Sequence, residues 1–552
     1  MVQISLGKEK RLLPLFIFSF FFLIYLASSG AHGDPYDGLS YFLMTENFVL
    51  NGTPSININS PSADELGFDI NEYIRTQSSV AAWSQWEFQR LQIAPDLTFE
   101  EYRSVYPFSE YRDAYVEKID RENFLPSSNY LVLPILAAPL YAIATVLNLS
   151  TIHFVFLFLN STIIATSAVV MFYLGKEIFK SERIGFVLSL IFGITSYIWP
   201  YTTSMFARPL GILFLMISIY LILHQKNRKG IVVPFLAGFS IALSSLSHPH
   251  FLMLLPAVFV FGIYEFRKDK RHLMMFVSAV LILLLILGYL NYTVRDSFFQ
   301  YVGFVDYPQF EQIAKGNFLE MFEGVYGFLF SPGRSIFLYF PLALVFPFGM
   351  YYLYKKDKGL SILLISLILI TYLYVATSYW WYWNPYWGPH RFLLPLIPLI
   401  TISLGSLISK FSTAARWKWS IVSLSIVGFF VNLMGNLVWV QYAFSFAWGP
   451  EGLWKVEDKD LVFAWNPYFS PFIQTFKVLS ADWVASLPTN PASMDYFRVG
   501  LNGCSYDVYL FCEYGIIPII LLGISIAVIA FLILRNLSIL PAGWKLYDQK
   551  EL

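Results

Sequence analysis

Uncharged apolar stretches of about 17 to 22 residues recur along this chain, each long enough to cross the hydrocarbon core of a bilayer as a helix. In that core an extended segment would leave its amides without partners, so runs of this length fold as helices, and a chain built from them is an all-α polytopic membrane protein. They lie near 12–29, 153–174, 184–200, 205–223, 231–247, 250–265, 273–292, 335–354, 359–378, 391–409, 419–440 and 514–534. With 57% apolar and 13% charged residues among 552, little is left for a separate soluble domain. Zero net charge says nothing about an acidic partner, but no basic stripe appears, so no nucleic-acid partner is expected; membrane lipids surround the fold instead.

A thirteenth run, 131–147, decides the topology. Short basic loops stay cytoplasmic. Here they are Lys8/Lys10/Arg11, Lys176/Lys180/Arg183, Lys226/Arg228/Lys229, Arg267/Lys268/Lys270/Arg271, Lys355/Lys356/Lys358 and Lys410/Arg416/Lys418. All six fall on one side only if 131–147, which holds Pro134 and Pro139, lies in the interface without crossing. The expectation is twelve transmembrane helices with both termini cytoplasmic. The layout is then a first helix to residue 29, an outer loop with interfacial helices over 30–152, and a bundle over 153–440 containing an outer loop at 293–334. A further outer loop spans 441–513, and the last helix and tail span 514–552.

Residues 30–130 hold sixteen Asp and Glu against six Lys and Arg, as an outer segment should, and enough aromatics to fold against the membrane surface as short helices. Lys8 to Arg11 followed by an apolar run and Ala27, Ser28 and Ser29 has the grammar of a secretory signal, but an 18-residue run favours a retained anchor. Cys504 and Cys512 share one hydrophilic stretch, where a disulfide forms if it faces an oxidising compartment; a pair of free structural thiols is the alternative.

The placement of ionisable groups separates the functional classes. Ion-coupled carriers need them near mid-membrane. Here the spans are essentially clear, while Asp34, Asp37, Arg208, His248, His250, Arg334, His390 and Arg391 all map to outer helix ends or outer turns. That pattern describes a site at the outer leaflet. Arginine offers a permanently charged planar fork for phosphate oxygens, and a carboxylate accepts a proton from a hydroxyl nucleophile. Together they suit transfer from a lipid phosphate. Displacement at an anomeric carbon needs one base, since phosphate leaves without a proton, and the paired carboxylates of glycoside hydrolysis are unnecessary.

Several stretches carry a resemblance. They are Gly33-Asp34 with Tyr41, the proline-bearing segment Tyr130 to Tyr141, and Phe330-Ser331-Pro332-Gly333-Arg334 followed by Leu338-Tyr339-Phe340-Pro341. The last is Trp380-Trp381-Tyr382-Trp383 leading into Trp387-Gly388-Pro389-His390-Arg391-Phe392. Over roughly residues 10–410 the chain resembles the multi-pass glycosyltransferases of the C fold superfamily, which includes the protein O-mannosyltransferases and the lipid A aminoarabinose transferase. The resemblance implies an inverting transferase in a prokaryotic inner membrane. Its donor would be a polyprenyl-phosphate-linked sugar, its acceptor a hydroxyl of a glycan, lipid or protein, and Asp34 would be the general base. One departure is that Leu131-Val132-Leu133-Pro134 lacks the basic residue many relatives carry there, so Arg334 or Arg391 must contact the phosphate.

In this reading Arg334 and Arg391, with His390 and Arg208, hold the donor phosphate, and Asp37 orients the acceptor or assists a divalent metal. The cofactor is left open: His248 and His250 are the candidate metal ligands, and a third is not identified. Plainer readings stand beside these. Asp34 and Asp37 suit a solvated turn next to Pro35 and Gly38, Arg334 and Arg391 suit snorkelling anchors, and the tryptophans near 380–387 suit an aromatic belt. Other functions compatible with the pattern are a polysaccharide polymerase or ligase and a non-enzymatic lipid or polysaccharide transporter.

Overall fold

The computed structural model describes residues 2–31, 37–57, 60–62, 131–225, 230–248, 250–295, 318–377, 386–411, 413–438, 440, 459–480 and 508–537. Among these residues every regular element is helical. Helix α1 (Val2–Ser28) is followed by α2 (Asp37–Asn51) and α3 (Val132–Val146). A hairpin of α4 (Thr151–Phe179) and α5 (Glu182–Ile194) leads to a 3-10 turn at Trp199–Thr202. Then come α6 (Ala207–Gln225), α7 (Val232–Ser247), α8 (His250–Phe266) and α9 (Lys270–Arg295). Helix α10 (Phe318–Phe330), the single turn α11 (Ile336–Tyr339) and α12 (Phe346–Lys356) precede α13 (Lys358–Ala376), α14 (Leu396–Ile408) and α15 (Ala415–Leu437). The chain continues through α16 (Lys459–Trp465) and α17 (Pro471–Ser480) to α18 (Tyr509–Tyr514) and α19 (Ile516–Asn536).

Six of these helices are long and apolar enough to cross a membrane: α1 over Arg11–Ser28, α4, α6, α13, α15 and α19. Helices α3, α7, α8 and α14 are apolar but shorter. Several expected spans are broken, two of them at a proline. The run 335–354 divides into α11, a 3-10 turn at Pro341–Val345 and α12. The run 184–200 ends as a helix at Ile194, ahead of Pro200, and 391–409 becomes helical only from Leu396, after Pro395. Proline lacks the amide that would continue the ladder, so Pro341 and Pro395 sit where α-helix gives way to tighter turn. The run 131–147 is the 15-residue α3, which packs on α2 and α4.

Without a hydrophobic force between helices in lipid, packing and interhelical hydrogen bonds hold them together. Gly175 and Gly185 let α4 and α5 meet backbone to backbone: a Cβ on Gly175 would lie 2.6 Å from the Gly185 Cα. Serine hydroxyls cross between neighbours, with Ser218 donating to the Ala237 carbonyl at 2.9 Å, Ser244 to Gly211 at 2.7 Å and Ser406 to Gly349 at 2.6 Å. Tyr25 on α1 donates to the Gly193 carbonyl at 3.0 Å. On the outside, Val260, Leu285, Phe430 and Ile517 are exposed, as lipid-facing residues are.

Glu46 on α2 is buried and accepts from the Tyr141 hydroxyl of α3 at 2.9 Å, from the hydroxyls of Ser60 and Ser62, and from the Ser62 amide at 3.3 Å. A buried carboxylate with four donors locks the start of the first loop onto α3. Cys512 in α18 is disulfide-bonded. Cys504 lies outside the described residues, as do Asp34 and most of the three long hydrophilic segments.

Candidate anion-binding site

Four connections bring their functional side chains to one end of the bundle. Arg208 is the second residue of α6, and His248 and His250 flank the turn from α7 into α8. Arg334 lies in the turn between α10 and α11, while His390 and Arg391 begin the 3-10 turn ahead of α14. The opposite end of α6, at Gln225, adjoins the basic segment Lys226 to Lys229, so the cluster and the lysine-rich loops occupy opposite ends.

Phe392 is the hub of the cluster. The Arg208 guanidinium stacks 4.1 Å from its ring centroid and the Arg391 guanidinium lies 5.9 Å away. The rings of His248, His250 and His390 stand 5.5, 5.9 and 4.7 Å from it. Arg391 also lies 4.7 Å over Tyr386, and His250 is 5.2 Å from Tyr374. Arginine stacks on aromatic faces without losing its fork, so these rings set guanidinium direction. Arg334 Nη1 donates to the Gly388 carbonyl at 3.3 Å, and Gly388 adopts φ +91°, a conformation glycine takes without strain.

The arginines are not snorkelling anchors. Arg208, Arg334 and Arg391 are 4%, 1% and 9% exposed. All three guanidiniums are therefore buried, in surroundings where little water screens a charge. His248 acts as an acceptor. Arg208 Nη2 sits 2.9 Å from His248 Nε2, and because a guanidinium only donates, that nitrogen accepts. Burial, then chiefly the charge of Arg208, holds His248 well below its usual pKa. Burial, then Arg391, Arg208, Arg334 and His250, do the same for His390, whose Nδ1 accepts from the Phe392 amide at 3.3 Å.

Depressed folded-state values fix the sign of a pH effect. Above the ordinary histidine pKa of about 6.5 both states are neutral and the contribution to stability is intact; as pH falls towards the lowered folded values the unfolded chain alone takes up protons. The melting temperature of the purified protein is expected to drop by several degrees from about pH 7 to pH 5, and His390→Gln should flatten that slope. A slope equal to that of the variant would remove His390 from the account.

All six basic candidates, Arg208, His248, His250, Arg334, His390 and Arg391, are thus brought together. Asp34 lies outside the described residues, and Asp37 is placed only as the first residue of α2. Of the candidate metal ligands His248 and His250, His248 has its Nε2 engaged by Arg208. Among the described residues no group of three His, Cys, Asp or Glu is placed to hold a metal. Trp387 is no belt residue: it is 2% exposed and stands 5.3 Å from Tyr339, edge to face. Trp380, Trp381 and Trp383 lie outside the described residues. Sequence reasoning misses Phe392 as the hub, and the only signal for it is its place directly after His390 and Arg391.

Searches among known protein families and among curated proteins returned no match for this chain.

Proposed function

We propose that the protein is an inverting glycosyltransferase that moves a sugar from a polyprenyl-phosphate donor to an acceptor hydroxyl at the outer face of a prokaryotic inner membrane. In this reading the chain crosses twelve times, the broken helices counting as crossings, and the arginine cluster faces the outer leaflet because every short basic loop lies at the other end. The observation that carries the proposal is the burial of three arginines at helix ends, Arg208 and Arg391 against the Phe392 ring and Arg334 on the carbonyl of Gly388, four residues before Phe392 in the chain. The disulfide at Cys512 fits an oxidising outer side.

Asp34, which follows α1 closely in the chain, takes the proton from the acceptor hydroxyl as its oxygen attacks the anomeric carbon. The bond to phosphate oxygen breaks, and the guanidiniums stabilise the charge left on the departing polyprenyl phosphate. Asp37 orients the acceptor. The direct test is transfer of a labelled sugar from a polyprenyl-phosphate-linked donor by the purified protein in liposomes. Transfer that is inhibited by sugar-free polyprenyl phosphate supports the proposal; no transfer from any of mannose, glucose, galactose or aminoarabinose donors opposes it.

A further inference from the structure

Gly333 immediately precedes Arg334, and both polar groups of its backbone are tied to other parts of the chain. Its amide donates to the Ala464 carbonyl in α16 at 3.0 Å, and its carbonyl accepts from the Tyr339 hydroxyl at 3.2 Å. The approach to α16 is so close that a Cβ on Gly333 would lie 2.0 Å from the Phe463 carbonyl oxygen. No side-chain rotation relieves such a clash, because the obstacle is backbone.

Helix α16 is itself anchored. Phe463 and Ala464 are fully buried, the Trp465 indole N–H donates to Glu323 of α10 at 2.9 Å, and the Trp465 ring lies 5.2 Å from Tyr326 on the same helix. The Ser331 hydroxyl accepts from the Arg334 amide at 3.1 Å, closing the turn from within. The direction in which Arg334 leaves the backbone is therefore set from three sides: by its own turn, by Tyr339, and by a segment more than a hundred residues later in the chain.

We infer that α16 is a strap belonging to the phosphate site, and that Gly333 is a positioning residue which lets the strap hold Arg334 on its target. The inference rests on the proposed donor-phosphate role of Arg334. A misplacement of about 1 Å is enough to cost a charged contact much of its value. The strap assigns to the last outer loop a part in donor binding that its own sequence, lacking arginine over 459–480, does not advertise.

The experiment is a double-mutant cycle on the full chain in detergent, reading the affinity for polyprenyl phosphate together with the melting temperature. Gly333→Ala is expected to weaken binding about tenfold, a loss that vanishes when Arg334 is already alanine. A purely structural glycine would cost the same in both backgrounds, which would overturn the inference. Should Gly333→Ala fail to fold, Trp465→Phe loosens the strap from Glu323 more gently, with a loss of about threefold confined to the Arg334 background. Unchanged binding in Gly333→Ala and Trp465→Phe, with Arg334→Ala weakened, defeats the strap alone. Unchanged binding in Arg334→Ala defeats the phosphate reading and the strap with it.

Discussion

Asp34→Asn is expected to fold, bind the lipid donor and transfer sugar about 10² to 10⁴ times more slowly than the natural protein. Asparagine preserves the size and turn preference of the residue but accepts no proton at neutral pH, so the loss should fall on the chemical step and leave donor affinity near normal. Asp37→Asn should lose less, because an amide still orients a hydroxyl by hydrogen bonding. Expression level and melting temperature measured alongside separate the two accounts of Asp34. A protein that transfers at the normal rate would remove the general base, and one that fails to fold would return Asp34 to the role of a turn residue.

The second large effect belongs to the arginines. Replacing Arg391 or Arg334 with alanine is expected to weaken polyprenyl-phosphate binding by about ten- to a hundredfold, since each loses a charge-assisted pair in a site shielded from water. Lysine should restore only part of that affinity: it keeps the charge but lacks the planar fork that stacks on Tyr386 or reaches the Gly388 carbonyl. Arg208→Ala should cost stability as well, because its guanidinium also serves His248 and Phe392. Binding curves that superimpose for natural protein, Arg334→Ala and Arg391→Ala would show that the cluster only holds helix ends together.

The basic half of this site is legible in the amino-acid sequence. The positive-inside distribution sorts helix ends into two sets, and a charge at the end away from the basic loops has few places to be except one surface. That sorting picks out Arg208, Arg334 and Arg391. It does not show that they are buried rather than snorkelling, because burial depends on Phe392, Tyr386 and Tyr374 meeting from different elements. Hydropathy averages over a window, so it finds the apolar helices but passes over Pro341 and Pro395, where the backbone leaves the α-helical ladder. The lock of Glu46 on Tyr141 and the seat of Gly333 against Phe463 join residues 95 and 130 positions apart. Contacts of that range leave no periodic trace in a single sequence.

The histidines show the same limit. A His-Pro-His turn suggests a cation, but His248 Nε2 accepts from Arg208 and the rings of His248 and His250 stand beside Phe392. The partner on the other side of the ring, not the spacing in the chain, decides what a histidine does.

The most direct test is an experimental structure with a polyprenyl-phosphate-linked sugar bound. The account predicts the phosphorus within about 4 Å of the guanidinium groups of Arg334 and Arg391, with the Asp34 carboxylate on the face of the sugar opposite the phosphate. A phosphate lodged elsewhere, with the three arginines facing only protein, would contradict it.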